Sequence, residues 1–277
     1  MAGLEDPEIS GAPVRRARFV VAYLGTGFHG FAANPGVRTV MGDLLEAMAT
    51  VLRQPVALSM AGRTDAGVHG WGQVLSGDLP ADADLADLAR RINKLCAPEI
   101  SIRDAAWTSP DFDARFSATS RQYRYHVWNG PAPNPLLAST SWHVPFPLDL
   151  TAMQAALPAL HGEHDFSSFC RRPKVPELSP THSLVRVLHH LSWESIDESP
   201  LLLFQITGSA FCHQMVRSIV GTTVDVGLGR IDPAAMPEIL AAKDRAAAGA
   251  VAPPTGLVLW QVGYGGKRWD ASASGST

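Results

Sequence analysis

Val56-Ala-Leu-Ser-Met-Ala61-Gly-Arg-Thr-Asp65-Ala-Gly-Val-His69-Gly-Trp-Gly-Gln73-Val-Leu-Ser76 reads as a strand at 56–61, a glycine-bearing loop at 62–70 and a second strand at 73–76. Outward from it the pattern is regular. Phe19 to Tyr23 is a short apolar run before it, and Val40, Leu44, Met48 and Leu52 recur at four-residue spacing, as on one helix face. After it, Leu85, Leu88, Ile92 and Leu95 mark a second helix, and Ile100 to Trp107 a closing strand. The order is βαββαβ, that of a split-βαβ, ferredoxin-like unit.

The second half repeats this order with longer connections. Gln122 to Trp128 alternates, with Tyr123, Tyr125 and Val127 on one face. Met153 to Leu160 predicts a helix, Leu184 to Trp193 and Leu201 to Thr207 paired strands, Phe211 to Val226 a helix, Pro233 to Ala242 a further helix and Leu257 to Val262 a last strand. The expected fold is therefore α+β. Two ferredoxin-like (RRM-like) halves place antiparallel sheets side by side, with helices on one face and a cleft between. The boundary falls near Pro110 to Ala114, giving a tail at 1–16, domains at 17–110 and 111–266, and a tail at 267–277.

Composition bounds the function. Of 277 residues 46% are hydrophobic, enough for a sizeable core. The net charge of −3 leaves a polyanionic partner possible only if basic residues gather on one face. Cys96, Cys170 and Cys212 are odd in number, far apart and without CxxC spacing, so a disulfide framework is not expected and a reducing interior is the default. The acidic start, Met1 to Ser10, has no apolar run, and no stretch reaches the roughly 18 apolar residues of a membrane span. A soluble cytoplasmic protein is the expectation.

The loop 62–70 carries the chemistry. Gly62 and Gly67 permit tight turns and close ligand approach, and small Thr64 and Ala66 leave the Asp65 carboxylate unobstructed. Alone, an Asp in such a loop more often closes an Asx turn than catalyses. His161, His164, Cys170 and His182 match no standard zinc spacing, and no Walker loop or GxGxxG cradle is present.

The string Ala61-Gly-Arg-Thr-Asp65-Ala-Gly-Val-His69 resembles the catalytic signature of the bacterial tRNA pseudouridine synthase A family. The likeness continues through Arg38-Thr-Val40, Gly72-Gln-Val74, Phe112-Asp-Ala-Arg-Phe-Ser-Ala118, Arg121-Gln-Tyr-Arg-Tyr125, His164-Asp-Phe-Ser-Ser-Phe169, Met215-Val-Arg-Ser-Ile-Val-Gly221 and Gly256-Leu257, in the family's order. It implies isomerisation of uridine at positions 38, 39 and/or 40 in the tRNA anticodon stem-loop. The glycosidic bond breaks, the uracil turns, and C5 joins C1′. No atoms are gained, so no cofactor and no metal are implied, and a homodimer that holds one tRNA across both subunits is.

Residue by residue, the resemblance makes Asp65 the catalytic carboxylate and Arg217 its cationic partner. Arg63 fills the space left by the flipped base, Tyr123 stacks on the target uracil, and Leu257 walls the pocket. Arg115, Arg121 and Arg124 beside Tyr123, and Arg171, Arg172 and Lys174 on a proline-rich loop, are the phosphate-contact candidates, since interleaved Arg and Tyr suit phosphate contact plus stacking. Two departures stand out: Leu24 where the family has Asp, and Phe31-Ala32 where it has Trp-Gln. Both are expected in an N-terminal loop away from the catalytic string. An RNA-binding module without activity is the competing class, and it has no need of Asp65, Tyr123 and Arg217 together.

Overall fold

The computed structural model describes residues 13–171, 183–197, 199–265 and 267–268. The first half runs β1 (Val14–Tyr23), α1 (Val40–Leu52), β2 (Ser59–Met60), β3 (His69–Pro80), α2 (Leu85–Cys96) and β4 (Ile100–Trp107). The second runs β5 (Ala118–Trp128), β6 (Trp142–His143), α3 (Leu150–Ala155), β7 (Gly162–Asp165), β8 (Val185–Ser195), β9 (Leu201–Gly208), α4 (Met215–Gly227), α5 (Met236–Ala241), β10 (Leu257–Tyr264) and β11 (Lys267–Arg268).

The helices start and stop where local chemistry directs. Thr39 caps α1 by accepting from the Gly42 amide, and Arg53 ends it in the left-handed region two residues before Pro55. Asp84 caps α2 by accepting from the Ala86 and Asp87 amides. Val40, Leu44 and Met48 from α1, with Leu85, Leu88 and Ile92 from α2, bury one face against Phe19, Val21 and Tyr23 of β1 and Leu75 and Leu79 of β3. Helix α4 is buried along most of its length. It packs with α3 over Tyr125, Val127, Phe204 and Ile206. At Gly221 a side chain would collide with the Ala250 carbonyl, so only glycine lets that backbone pass.

The result is a mixed α+β fold around one large sheet, and here the expectation of two sheets side by side is corrected. Strand order is β4-β1-β3-β10-β5-β9-β8-β7, with β2 paired to β3, β6 to β5 and β11 to β10. Within the first half β1 lies between β4 and β3, and within the second β5 lies between β10 and β9, all antiparallel. Strand β10 closes the gap between halves. It pairs antiparallel with β5 and parallel with β3 through Val258↔His69 and Leu259↔Gly70. Period-two patterning assigns a strand's faces but not its edge partners. A two-residue parallel seam therefore leaves no mark in the sequence.

Other boundaries differ for comparable reasons. The run 56–61 contributes only two paired residues, and β3 starts at His69 rather than 73. Strand β1 begins at Val14, inside the span expected as tail, pairing with β3 from Val14↔Pro80 onward, and the Arg16 guanidinium is held by Asp78 at 2.7 Å and by the Phe112 carbonyl at 2.9 Å. The stretch 211–214 lies outside the helix predicted over it. Gln214 sits at φ 63° and starts α4 one residue later. Cys170 and Cys212, 42 residues apart, are joined as a disulfide, contrary to the expectation from spacing along the chain. The fold brings the 3-10 turn at Ser167–Phe169 and the residues after it beside the 211–214 segment, the Arg171 amide donating to the His213 carbonyl, which sequence separation cannot show.

Candidate active site

The loop 62–68 is fixed at its ends and open at its middle. Gln73 holds the first turn, donating from Nε2 to the Gly62 carbonyl at 2.6 Å, and the Ala61 amide donates to the Val74 carbonyl. The Thr64 hydroxyl meets the Tyr23 phenol at 2.8 Å, and the Val68 amide closes a turn on the Asp65 carbonyl at 3.2 Å. Gly67 takes φ +79° against Pro254, which excludes most side chains. His69 is structural. Its Nδ1 accepts from the Gly25 amide and its Nε2 donates to the Thr255 carbonyl, both at 2.9 Å, while burial pushes its pKa below the usual value, so it is neutral.

Asp65 therefore projects from a rigid turn into a cavity of about 640 Å³. One carboxylate oxygen, Oδ2, faces Arg217 Nη1 at 3.2 Å, and the other, Oδ1, faces His213 Nε2 at 3.4 Å. Arg217 is itself anchored, its Nε donating to the Ala252 carbonyl at 2.7 Å. It sits in the first turn of α4. Tyr123 and Leu257 line the same cavity. Tyr123 is buried, stands edge-on to Phe211 at 5.1 Å, and has its phenol pushed up to about 12 by burial, with Asp65 adding to the rise. It is a protonated phenol at neutral pH, a donor and a stacking surface but not a base. Arg63 lies exposed at the mouth.

The peripheral arginines are placed unevenly. Arg121 is largely withdrawn from solvent, and its guanidinium donates to the carbonyls of Ala61, Arg115 and Ser209 at 2.9–3.2 Å. It stitches the loop that carries Asp65 to the second half. Arg124 points to the opposite face of the sheet from Tyr123, over the Trp260 ring at 3.8 Å. Arg115 is exposed beside Phe116, itself 81% exposed. Arg171 is exposed, with its amide bonded to the His213 carbonyl at 3.0 Å. Arg172 and Lys174 lie outside the described residues.

Two sets of residues at the cavity were not singled out from the sequence as site residues. Phe211, Cys212 and His213 form one wall; no motif marks them beyond their position just ahead of Met215-Val-Arg217. The second set corrects the expectation that the N-terminal departures lie away from the catalytic string. Phe31 is fully buried, 5.2 Å from Tyr23, and its amide donates to the Thr64 carbonyl at 3.1 Å, while Ala32 lines the cavity. Strands β1 and β3 are neighbours, so the loop after one meets the loop before the other. Leu24, in contrast, lines a depression on the opposite face. Among the described residues no group of three or more His, Cys, Asp or Glu is arranged to hold a metal. His164 Nε2 bonds the His161 carbonyl, and Cys170 is tied to Cys212.

Comparison with known proteins shows the family. A family model described as tRNA pseudouridine synthase matches residues 156–265. The tRNA pseudouridine synthase A of Geobacillus kaustophilus is 38% identical over 252 residues, 90% of this chain and 95% of the relative. That of Frankia casuarinae is 43% identical, covering 90% and 89%. The Bacillus subtilis protein of the same name is 36% identical, covering 90% and 99%. The chain belongs to the tRNA pseudouridine synthase A family. It is thus an isomerase acting on RNA, a member of the pseudouridine synthases. For such chemistry the site offers an ionisable carboxylate with two cationic or imidazole neighbours, an aromatic donor and apolar walls, in a cavity of the size that holds one nucleotide-scale group.

Proposed function

We propose that this synthase isomerises uridine to pseudouridine at positions 38, 39 and/or 40 of the tRNA anticodon stem-loop, with Asp65 as the essential carboxylate. The observation that carries the reading is the Asp65 carboxylate, held at 3.2 Å by Arg217 on the wall of a cavity it shares with Tyr123 and Leu257. The target base leaves its stack, at a cost of a few kcal/mol. Tyr123 and Leu257 enclose it, and Arg63 occupies the gap it leaves. Arg217 orients the carboxylate that any of the three routes uses: attack at C1′, attack at C6, or removal of the C2′ proton. No cofactor and no metal take part. The test is tritium release from tRNA labelled at uridine C5. A protein that releases none from any anticodon stem-loop would remove the reading.

The strand order supports reading each half, 17–110 and 111–266, as a ferredoxin-like unit, with the active site where the units meet. Phosphate contacts fall to Arg63, Arg115 and Arg171, with Arg172 and Lys174. Arg121 and Arg124 are assigned elsewhere by their partners. If about five phosphates are neutralised, tRNA affinity falls roughly 500-fold between about 50 and about 200 mM salt. Arg171→Ala lowers the slope of log affinity against log salt by about one while leaving single-turnover rates near parent. A flat salt dependence of the parent would remove RNA from the reading.

A homodimer in the cytoplasm completes the proposal. On the sheet face opposite Tyr123 lies an apolar depression of about 470 Å³, where Trp71, 43% exposed, stacks on Trp260 at 5.8 Å beside Val258 and Leu201. Such a patch is a natural surface for a second copy. Sedimentation of Trp71→Glu is expected to show a monomer where the parent shows a dimer; a monomeric parent would end this part of the proposal. No helix among the described residues is long and apolar enough to cross a membrane.

A further inference from the structure

Joining C5 to C1′ leaves one step that Asp65 and Arg217 do not account for. C5 still carries its hydrogen, and the product requires that it leave. The C5–H bond breaks, its electron pair becomes the C5=C6 double bond, the C6=N1 double bond becomes single, and N1 takes up a proton. The group that accepts the C5 proton must stand within hydrogen-bond reach of it. C5 at that moment is bonded to C1′, so in the routes where Asp65 acts on the sugar the accepting group must also stand close to Asp65.

We infer that His213 is that group: its imidazole removes the C5 proton of the rearranged base, an inference that rests on the uridine isomerisation proposed above. Of the two imidazoles that line the cavity among the described residues, His29 and His213, His213 stands 3.4 Å from Asp65 Oδ1, on the carboxylate oxygen that Arg217 does not hold. That distance is longer than a formed N–H···O bond, so the ring is beside the carboxylate without being occupied by it. The side chain is 48% exposed and has room to turn toward a bound base. Its backbone, in contrast, is fixed. Cys212 before it is tied to Cys170, its own carbonyl accepts from the Arg171 amide at 3.0 Å, and Gln214 after it opens α4.

Electrostatics favour the transfer. Once C5 has joined C1′, an Asp65 that acted on the sugar is a free carboxylate again. It stabilises the imidazolium that the proton creates. Tyr123, the other group poised over the base, is a protonated phenol and cannot accept. The half-exposed ring can hand the proton on to N1 or to water.

The experiment uses full-length tRNA carrying hydrogen or deuterium at uridine C5, in single turnover with the parent, His213→Gln and His213→Gly. His213→Gln is expected to slow product formation about 100-fold or more. Its C5 isotope effect should rise above the parent's, because proton removal becomes rate-limiting. Added imidazole should restore rate to His213→Gly and reduce its isotope effect. A slowed His213→Gln with the parent's isotope effect would mean that His213 only orients Asp65, and an unslowed one that it has no part; either overturns the inference. A parent that forms no pseudouridine removes the function itself, which is a separate result.

Discussion

Asp65→Asn is expected to abolish pseudouridine formation, a loss of at least about four orders of magnitude, while tRNA affinity stays within a few-fold of parent. The substitution keeps size and shape and removes only the charge. Its neighbours tolerate it. Asp65 is 31% exposed, so the amide is not buried unsatisfied, and the Val68 amide bonds its main chain, which is unchanged. Arg217 keeps its bond to the Ala252 carbonyl. Melting temperature should therefore move by no more than a few degrees. What disappears is the anion that can attack carbon or take a proton, and an amide can do neither. Tritium release above background, with binding intact, would show that the carboxylate is dispensable and that another group starts the reaction.

How much of this was legible in the sequence depends on the kind of contact. The open loop around Asp65 was readable because such a loop needs glycines and small residues at fixed offsets, and those stand next to it in the chain; a role for its carboxylate came only from the resemblance. Helices α1, α2 and α4 were readable because their apolar faces recur at helical spacing, although the start of α4 slid to Met215. What could not be read were meetings between distant segments. His213 reaches Asp65 across 148 positions only because β10 joins the two halves into one sheet. Cys170 meets Cys212 for a similar reason. Arg121 and Arg124 looked alike as cations beside a tyrosine. Strand alternation places one against the loop that carries Asp65 and turns the other to the far face, and neighbours on those faces decide what each cation does.

Arg217→Lys is expected to lower turnover about 100- to 1000-fold despite keeping the charge. Arg217 does two things in two directions: Nε holds the Ala252 carbonyl at 2.7 Å and Nη1 faces Asp65 Oδ2 at 3.2 Å. A planar guanidinium offers both donors at a fixed angle from one side chain, whereas a single ammonium on a flexible stem must choose. The site is confined, with the Arg217 side chain only 13% exposed, so water cannot fully replace the missing donor. If the ammonium follows Asp65, the Ala252 carbonyl loses its partner and stability falls by about 1–3 kcal/mol. If it stays on Ala252, the carboxylate loses its counter-ion and its fixed orientation. Chemical denaturation beside single-turnover kinetics separates the cases. A stability loss with modest rate loss places the ammonium on Asp65; a stable but slow enzyme places it on Ala252. A Lys variant with both properties at parent level would mean that positive charge alone suffices there, and that the fixed angle between the two donors has no bearing on how Asp65 meets its substrate.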